Sequence, residues 1–567
     1  MTTYYIDPTS PTNGDGLSEL TPFNTWDAVT YEAGNTYLQK QGTIFNGKIL
    51  VSSGGADESS RVNLSIYGPA VIPLESGLSQ QKAKINANGY DRALQVAVGA
   101  HYVTVDNFEI YGANTKTASV RGVVIGSTVA NRTNNVTIKN CIIRDIGSTV
   151  VLPEDENGIQ CFGDNFRLLN TEIYNIADDG VWVQGSNFEA GHVNVHHVSK
   201  SGRLSGDCMQ ISNASGVSSN YWVHHCILDH SNVEIKQCFI DATGVDGSTG
   251  GIFEHNTCIM GTDNTQSNTS KTVNIGNPNV IVRGNNISGG WAGLWLLGNN
   301  IKATGNLITQ FKYVGSYIYA LTTGISIYNN TFYSNRVDKI ANSVAIDIAS
   351  TTVTANVVNN IFYGSGIDYG ITCYKSAATA NGIDIRNNIG YVNTSAFSVS
   401  GGVDSSNVST NPLLDINHSP ASNSPAIGTG FKYWTGARTS DVNGEPLPDT
   451  AIDIGAVQST GNANHPKNLI NSSNPSATAM DLITYSPAEL QVQLDKVTEL
   501  DGRIDDVESK QIISKNITWD SAAPTTGTYA AGDIVYNSAP AASGTIGWVC
   551  VTAGTPGTWK TFGAISA

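Results

Sequence analysis

One repeat constrains the fold more than any other feature of this chain. Asn107, Asn140 and Asn170 each open a short motif of Asn, any residue, then usually an apolar one, in DNFEI, KNCII and LNTEI. The motif returns at Asn256, Asn285, Asn306, Asn330, Asn360 and Asn388, while His197 and His225 fill the gap after Asn170. Successive intervals are 33, 30, 27, 28, 31, 29, 21, 24, 30 and 28 residues, a loose solenoid period with insertions. A second pattern rides on the first. GIQCF (158–162), GVWVQ (180–184), CMQIS (208–212), NVEIK (232–236), TVNIG (272–276), GLWLL (293–297) and GITCY (370–374) carry apolar residues on one side. Such alternation marks half-buried strands. Each rung is too small to bury its own apolar side, so stacked rungs must share one column. The expected fold is all-β, a right-handed parallel β-helix. Its asparagines would stack along a buried turn and satisfy backbone groups there.

Composition agrees. Charged residues make up only 14% and glycines number 58, which disfavours long helices. With 31 basic and 47 acidic residues the net charge is −16, which excludes a general nucleic-acid binder. No stretch approaches the ~18 apolar residues of a membrane span. MTTYYIDPTS lacks the layout of a signal peptide. The eight cysteines include no CxxC pair and read as reduced, mostly buried thiols made in a reducing cytosol. His197 and His225 are expected to be structural ladder residues. The histidines of HVNVHH (192–197) are split between faces by the alternation, so neither a metal nor a cofactor is expected there.

The outward column of the repeated strand reads Gln160, Trp182, Gln210, Glu234, Asn274 and Trp295, with Gln184, Ser212 and Lys236 at the next outward position. Glu156, Asp178, Asp179 and Asp207 lie at the strand entrances. Rungs stack about 4.8 Å apart, so these residues form one exposed patch. Any single Asp before Gly reads as a turn former. The cluster as a whole reads as chemistry, with Asp179, Asp207, Glu234, Asp178 and Glu156 as catalytic candidates. Trp182, Gln160, Gln210, Lys236, Trp295 and Asn274 are the substrate-binding candidates. Aromatic plates and amides suit sugar rings, and paired carboxylates suit glycosidic cleavage. Carboxyls on adjacent rungs would fit a retaining pair, at about 5 Å, and those two rungs apart an inverting pair, at about 6.5–9.5 Å.

The opening YYIDPTSPTNGDGLSELTPFNTW (Tyr4–Trp26) resembles that of secreted and phage-borne pectate-lyase-like β-helix proteins. NPLLDINHSPASNSPAIGTG (Asn411–Gly430) and DVNGEPLPDTAIDIGAVQ (Asp441–Gln458) resemble the closing cap of that superfamily. The resemblance spans residues 1–460 and implies a polysaccharide-active β-helix, lyase or hydrolase. Asp178-Asp179 is similar to the paired Asp of polygalacturonases. Glu156-Asn157-Gly158 and Gly206-Asp207-Cys208 replace that family's flanking Asn-Thr-Asp and Gly-His-Gly, so pectin is not implied.

Residues 461–484 read as a polar linker. Residues 485–512 read as a short trimerising coiled coil, capped by Ser486, Pro487 and Glu489. Leu490, Val497 and Ile504 fit a-positions and Leu500 and Val507 d-positions, with Gln493 breaking the seam. Residues 513–567, with Trp519, Trp548 and Trp559, resemble the small C-terminal β modules of phage tail fibres. The whole order resembles a homotrimeric bacteriophage tailspike. That resemblance implies an endo-hydrolase of capsular or O-antigen polysaccharide, made in the host cytoplasm and carried on the baseplate or tail of the virion. The rivals are a lyase acting at a uronic acid, with Lys236 as base and Ca²⁺ on the Asp cluster, and a non-catalytic adhesin.

Overall fold

Three strands per rung, each hydrogen-bonded to its counterpart in the next rung, generate the first unit of the chain, Met1–Pro475. The computed structural model describes residues 1–68, 82–87, 89–114, 120–147, 156–199, 206–211, 217–231, 236–241, 247–261, 270–319, 322–349, 353–373, 382–399, 405–430, 442, 452–458 and 517–566. The first sheet has 14 strands, from Thr3–Ile6 to Ile383–Arg386. The second has 13, from Ile44–Asn46 to Ile389–Tyr391, and the third has 13, from Ile49–Val51 to Ser395–Val399. All pairings in these sheets are parallel, which makes the unit a parallel β-helix. Two single-turn 3₁₀ segments, Trp26–Ala28 and Glu58–Ser60, are the helices among the described residues. None is long and apolar enough to cross a membrane.

Register makes the core. In the third sheet Ile159, Val181, Met209, Phe239, Val273 and Leu294 align one per rung, and all are fully buried. Ile138, Leu168, Ala190, Val223 and Phe253 do the same in the first sheet. Each rung extends the apolar column begun below it, which is why single-rung patterns suffice to build it. The eight cysteines are free and buried.

The corner between the first and second sheets contains two columns where the sequence reading placed one. Asn107, Asn140, Asn170, His192, His225 and His255 hold left-handed backbone (φ 47–68°), as do Asn329, Asn359 and Asn387 further on. The next residue of each rung forms the buried column: Cys141, Thr171, Val193 and Cys226, then Asn256, Asn285, Asn306, Asn330, Asn360 and Asn388. Within it each backbone N–H from Cys226 to Asn388 donates to the Asn Oδ1 of the next rung at 2.9–3.1 Å. The buried ladder thus begins at Asn256, while Asn107, Asn140, Asn170 and His225 belong to the turn column. His197 belongs to neither. It follows Tyr174 and His196 of the second sheet and occupies the corner toward the third sheet, with Asp145 and Asn175.

The segment resembling a closing cap packs along the second sheet. Ala426 and Ile454 cluster with Ile361 and Ile389, and the Ala456 N–H donates to Thr331 at 3.0 Å.

The second unit is Ser476–Ala567. Its described part is a four-stranded sheet of Ile517–Asp520, Ile534–Asn537, Thr545–Thr552 and Thr558–Ala564, with the first pair parallel and the others antiparallel. Trp519 is exposed and stacks on Tyr536 at 4.9 Å. The expected coiled coil, 485–512, lies outside the described residues, as does the expected linker, 461–484.

Candidate active site on the third sheet

The connections into and out of the third sheet carry most of the insertions that loosen the repeat. Loops set on a rigid scaffold are where specificity is usually built. On the outer side of this sheet one column aligns Gln160, Trp182, Gln210, Ile240, Asn274, Trp295, Tyr317 and Asp347. The strand of the fourth of these rungs is Phe239–Asp241. NVEIK was expected to supply it. Ile240 therefore takes the place assigned to Glu234, which lies outside the described residues together with Ser212. An insertion of a few residues shifts the phase, and two short alternating runs then compete for one strand.

A second outward column forms at the strand entrances, in the order Arg121, Asn157, Asp179, Asp207 and Gln237. The backbone ladder sets it: Gly158 N–H donates to the Asp179 carbonyl, Gly180 to Asp207 and Cys208 to Gln237. Side chains repeat the link. Asp179 accepts the Asp207 N–H at 2.7 Å, and Asp207 accepts the Gln237 N–H at 2.8 Å. Asp178 and Glu156 lie one residue earlier in their rungs, and the Asp178 N–H donates to the Glu156 carbonyl at 3.0 Å.

The structure brings Glu156, Asp178, Asp179, Asp207, Gln160 and Lys236 together around these entrances but corrects their exposure. Glu156, Asp178, Asp179, Asp207, Gln160 and Gln184 are buried. A carboxylate that holds the next rung's backbone cannot stand free in solvent, and its removal carries a folding cost. Trp182 is half-buried with its edge against Phe162, so it is a partly covered plate. Trp295 is buried, stacked on Tyr317 at 3.9 Å, with the Lys271 ammonium 4.8 Å from its ring centre. Lys236 precedes its strand in a left-handed turn (φ 85°) and does not share the position of Gln184. Gln210 is half-buried and Asn274 buried, both in the expected column.

Electrostatics set Asp207 apart from an ordinary carboxyl. Burial pushes its carboxyl up to about 7, Asp178 adds to the rise, and the Gln237 N–H and Lys236 oppose it. Burial, and then the charge of Lys236, lower Lys271 below the ordinary lysine value. Burial raises Asp347, further along the outer column, while a 2.7 Å hydrogen bond from Thr372 opposes the rise.

Asn157, Trp182 and Asn274 on this face have polar atoms that no described residue satisfies. Asn157 is fully buried with neither amide atom hydrogen-bonded, and the Trp182 Nε1 and Asn274 Oδ1 are likewise unpartnered. Each such group costs about 1–3 kcal/mol unless a ligand completes it. Asn157, Lys271, Trp291, Tyr313, Tyr317 and Asp347 escaped the sequence reading. Asn157 was legible, because Asn157-Gly158 aligns with Asp179-Gly180. The aromatic group was not, because Trp291 stacks on Tyr313 across rungs (4.8 Å). The Asp cluster does not emerge as a cation site: among the described residues only His192, His224 and His225, on another corner, converge as possible metal ligands.

Three solved structures are similar to the chain over most of its length. The chain is similar to pectate lyase Pel9A (14% identity, covering 81% of this chain and 96% of that one, TM-score 0.39). It is also similar to XylC in complex with xylose (10%, 81% and 98%, 0.43). A third is a mannuronic acid-specific polysaccharide lyase of family 6 from human gut microbiota (13%, 70% and 83%, 0.41). No family model matches the chain, and no curated protein matches it in sequence.

Proposed function

We propose that this chain cleaves a polysaccharide on the outer face of its third sheet, as an endo-acting glycoside hydrolase. The observation that carries the reading is Asp207, a carboxyl that burial, with a smaller contribution from Asp178, pushes up to about 7. A carboxylic acid protonated near neutral pH can donate to a leaving glycosidic oxygen. Asp178 or Asp179 would then act as nucleophile or as base toward water. Trp182, Gln160, Gln210 and Asn274 would hold successive sugar units, and the unpartnered Asn157, Trp182 and Asn274 atoms would be completed by hydroxyls. No cofactor is invoked. The resemblances noted above extend the reading to a bacteriophage tailspike, working as a homotrimer on capsule or O-antigen.

A second reading has a specific observation behind it. The half-buried Lys271, with its pKa lowered by burial and by the charge of Lys236, is suited to act as a neutral base in β-elimination at a uronic acid. The test is digestion of purified capsular polysaccharides by the parent and by Asp207→Asn and Lys271→Met. Hydrolysis gives new reducing ends without ultraviolet absorbance, stopped by Asp207→Asn. Elimination gives unsaturated, absorbing ends, stopped by Lys271→Met. If a panel of surface polysaccharides is bound but never shortened, the chain is an adhesin. Light scattering tests the trimer, and a monomer mass would remove the tailspike assembly.

A further inference from the structure

The corner between the first and second sheets holds a cluster that the proposed activity does not use. His192 comes from one rung, and His224 and His225 come from the next. Each offers a ring nitrogen, and these atoms all lie within 4.8 Å of one another. The Nδ1 atoms of His224 and His225 are 3.1 Å apart. Two imidazole nitrogens on one tetrahedral zinc ion, each at about 2.05 Å, lie about 3.3 Å apart. The pair is therefore already close to the separation that chelation needs.

The rings are held in place. His224 is buried and stacks on Trp222 at 4.0 Å. Gly191 lies beside it in register, and a Cβ there would come within 2.6 Å of the His224 ring. The His224 Nε2 has no hydrogen-bond partner among the described residues and faces Glu189 Oε1 at 3.6 Å. Glu189 is itself fixed by Arg167 at 2.6 Å. A carboxylate behind the distal nitrogen is the usual support of a metal-bound imidazole. His255 stacks on the far side of His225 at 5.3 Å.

Turn geometry does not demand these histidines. The same left-handed position is Asn in the preceding rungs, at Asn140 and Asn170, and in later ones, at Asn329 and Asn359.

We propose that His192, His224 and His225 bind one divalent ion of the zinc class across two successive rungs. Three neutral nitrogens and no carboxylate favour Zn²⁺, Cu²⁺ or Ni²⁺ over Ca²⁺ or Mg²⁺. His192 is exposed, which leaves the fourth position to water. The ion ties the two rungs at a corner where the Asn ladder has not yet begun, since that turn column is followed by Val193 and Cys226.

The full chain, stripped with chelator and freed of it, is titrated with ZnSO₄ by calorimetry and melted with and without zinc. The expected result is one saturable ion per chain and a melting temperature that rises with zinc concentration. His192→Asn and His225→Asn keep the left-handed turn and should each weaken zinc at least tenfold while melting like the parent in chelator. Glu189→Gln should weaken it by about tenfold as a positioning residue. With Cu²⁺, electron paramagnetic resonance should show nitrogen couplings that diminish in the same variants. His197→Asn, in the neighbouring corner, should change nothing. Absence of saturable binding overturns the proposal, as does binding that survives His192→Asn and His225→Asn but is lost with His197→Asn.

Discussion

The Asn256–Asn388 ladder and the Asp179–Asp207 column are built on the same device. In each, one polar side chain per rung accepts a backbone N–H, and the stacking of rungs repeats the bond. They differ in what remains afterwards. Asn330 receives the Asn306 N–H and Nδ2, and its own Nδ2 reaches the Ala303 carbonyl and Asn360 Oδ1. Every capacity of the amide is used. Asp207 accepts the Gln237 N–H and is an ionisable group with a raised pKa, with Lys236 nearby and unsatisfied amide and indole atoms on the same face. A ladder of neutral amides is structure. A ladder of ionisable groups, at one stretch of one face, is where chemistry can be done.

The contrast breaks most sharply at Asn330→Ala. Several fully buried hydrogen bonds are lost and their partners orphaned, so stability should fall by about 3–5 kcal/mol in denaturant unfolding. Once folded, the variant should cleave substrate at the parent rate. Asp207→Asn should do the opposite. The amide oxygen still accepts the Gln237 N–H, so folding at low pH should hold while the rate drops on the order of 10²-fold or more. Equal activity of that variant and the parent would remove Asp207 from the chemistry.

The pH dependence of stability sharpens the comparison. Burial pushes Asp207, and likewise Asp241, up to about 7, from an ordinary 3.8. Asp241 faces the core between Ile211 and Ile275, where it accepts the Tyr221 hydroxyl at 2.7 Å. A folded value above the unfolded one means the folded state keeps the proton between them. The resulting stability is full below the unfolded value and is lost as pH rises through about 7. Melting temperature should therefore fall from mildly acid to neutral pH, and Asp207→Asn and Asp241→Asn should each flatten that slope. An unaltered slope in both would place the titration elsewhere. The smallest effect is expected at Trp182→Ala, which should raise KM by about tenfold with kcat nearly kept, the loss of one aromatic contact.

Much of this was legible in advance for a physical reason. The apolar face of each strand is local information, and Val181, Met209 and Leu294 announce it within five residues. The candidate site was legible in part. Asp179 and Asp207 stood out because acids recur at the entrances of successive rungs, which single turns do not require, and Trp182 because it is a lone indole on an outward position. Asn157 was passed over because a turn-forming Asn among so many is unremarkable. Lys271 and Tyr317 were passed over because their significance lies in contacts across rungs.

The sequence by itself determined that this chain stacks rungs into a parallel solenoid, since period and alternation are properties of the chain taken one rung at a time. Only the tertiary structure decided that Ile240 occupies the third-sheet position expected of Glu234. Only it placed His197 at a different corner from His225, and buried the acids expected in solvent. Those outcomes depend on the phase between rungs and on what lies above and below each residue. Insertions of variable length erase that information from the linear spacing, and hydrogen bonding between rungs restores it.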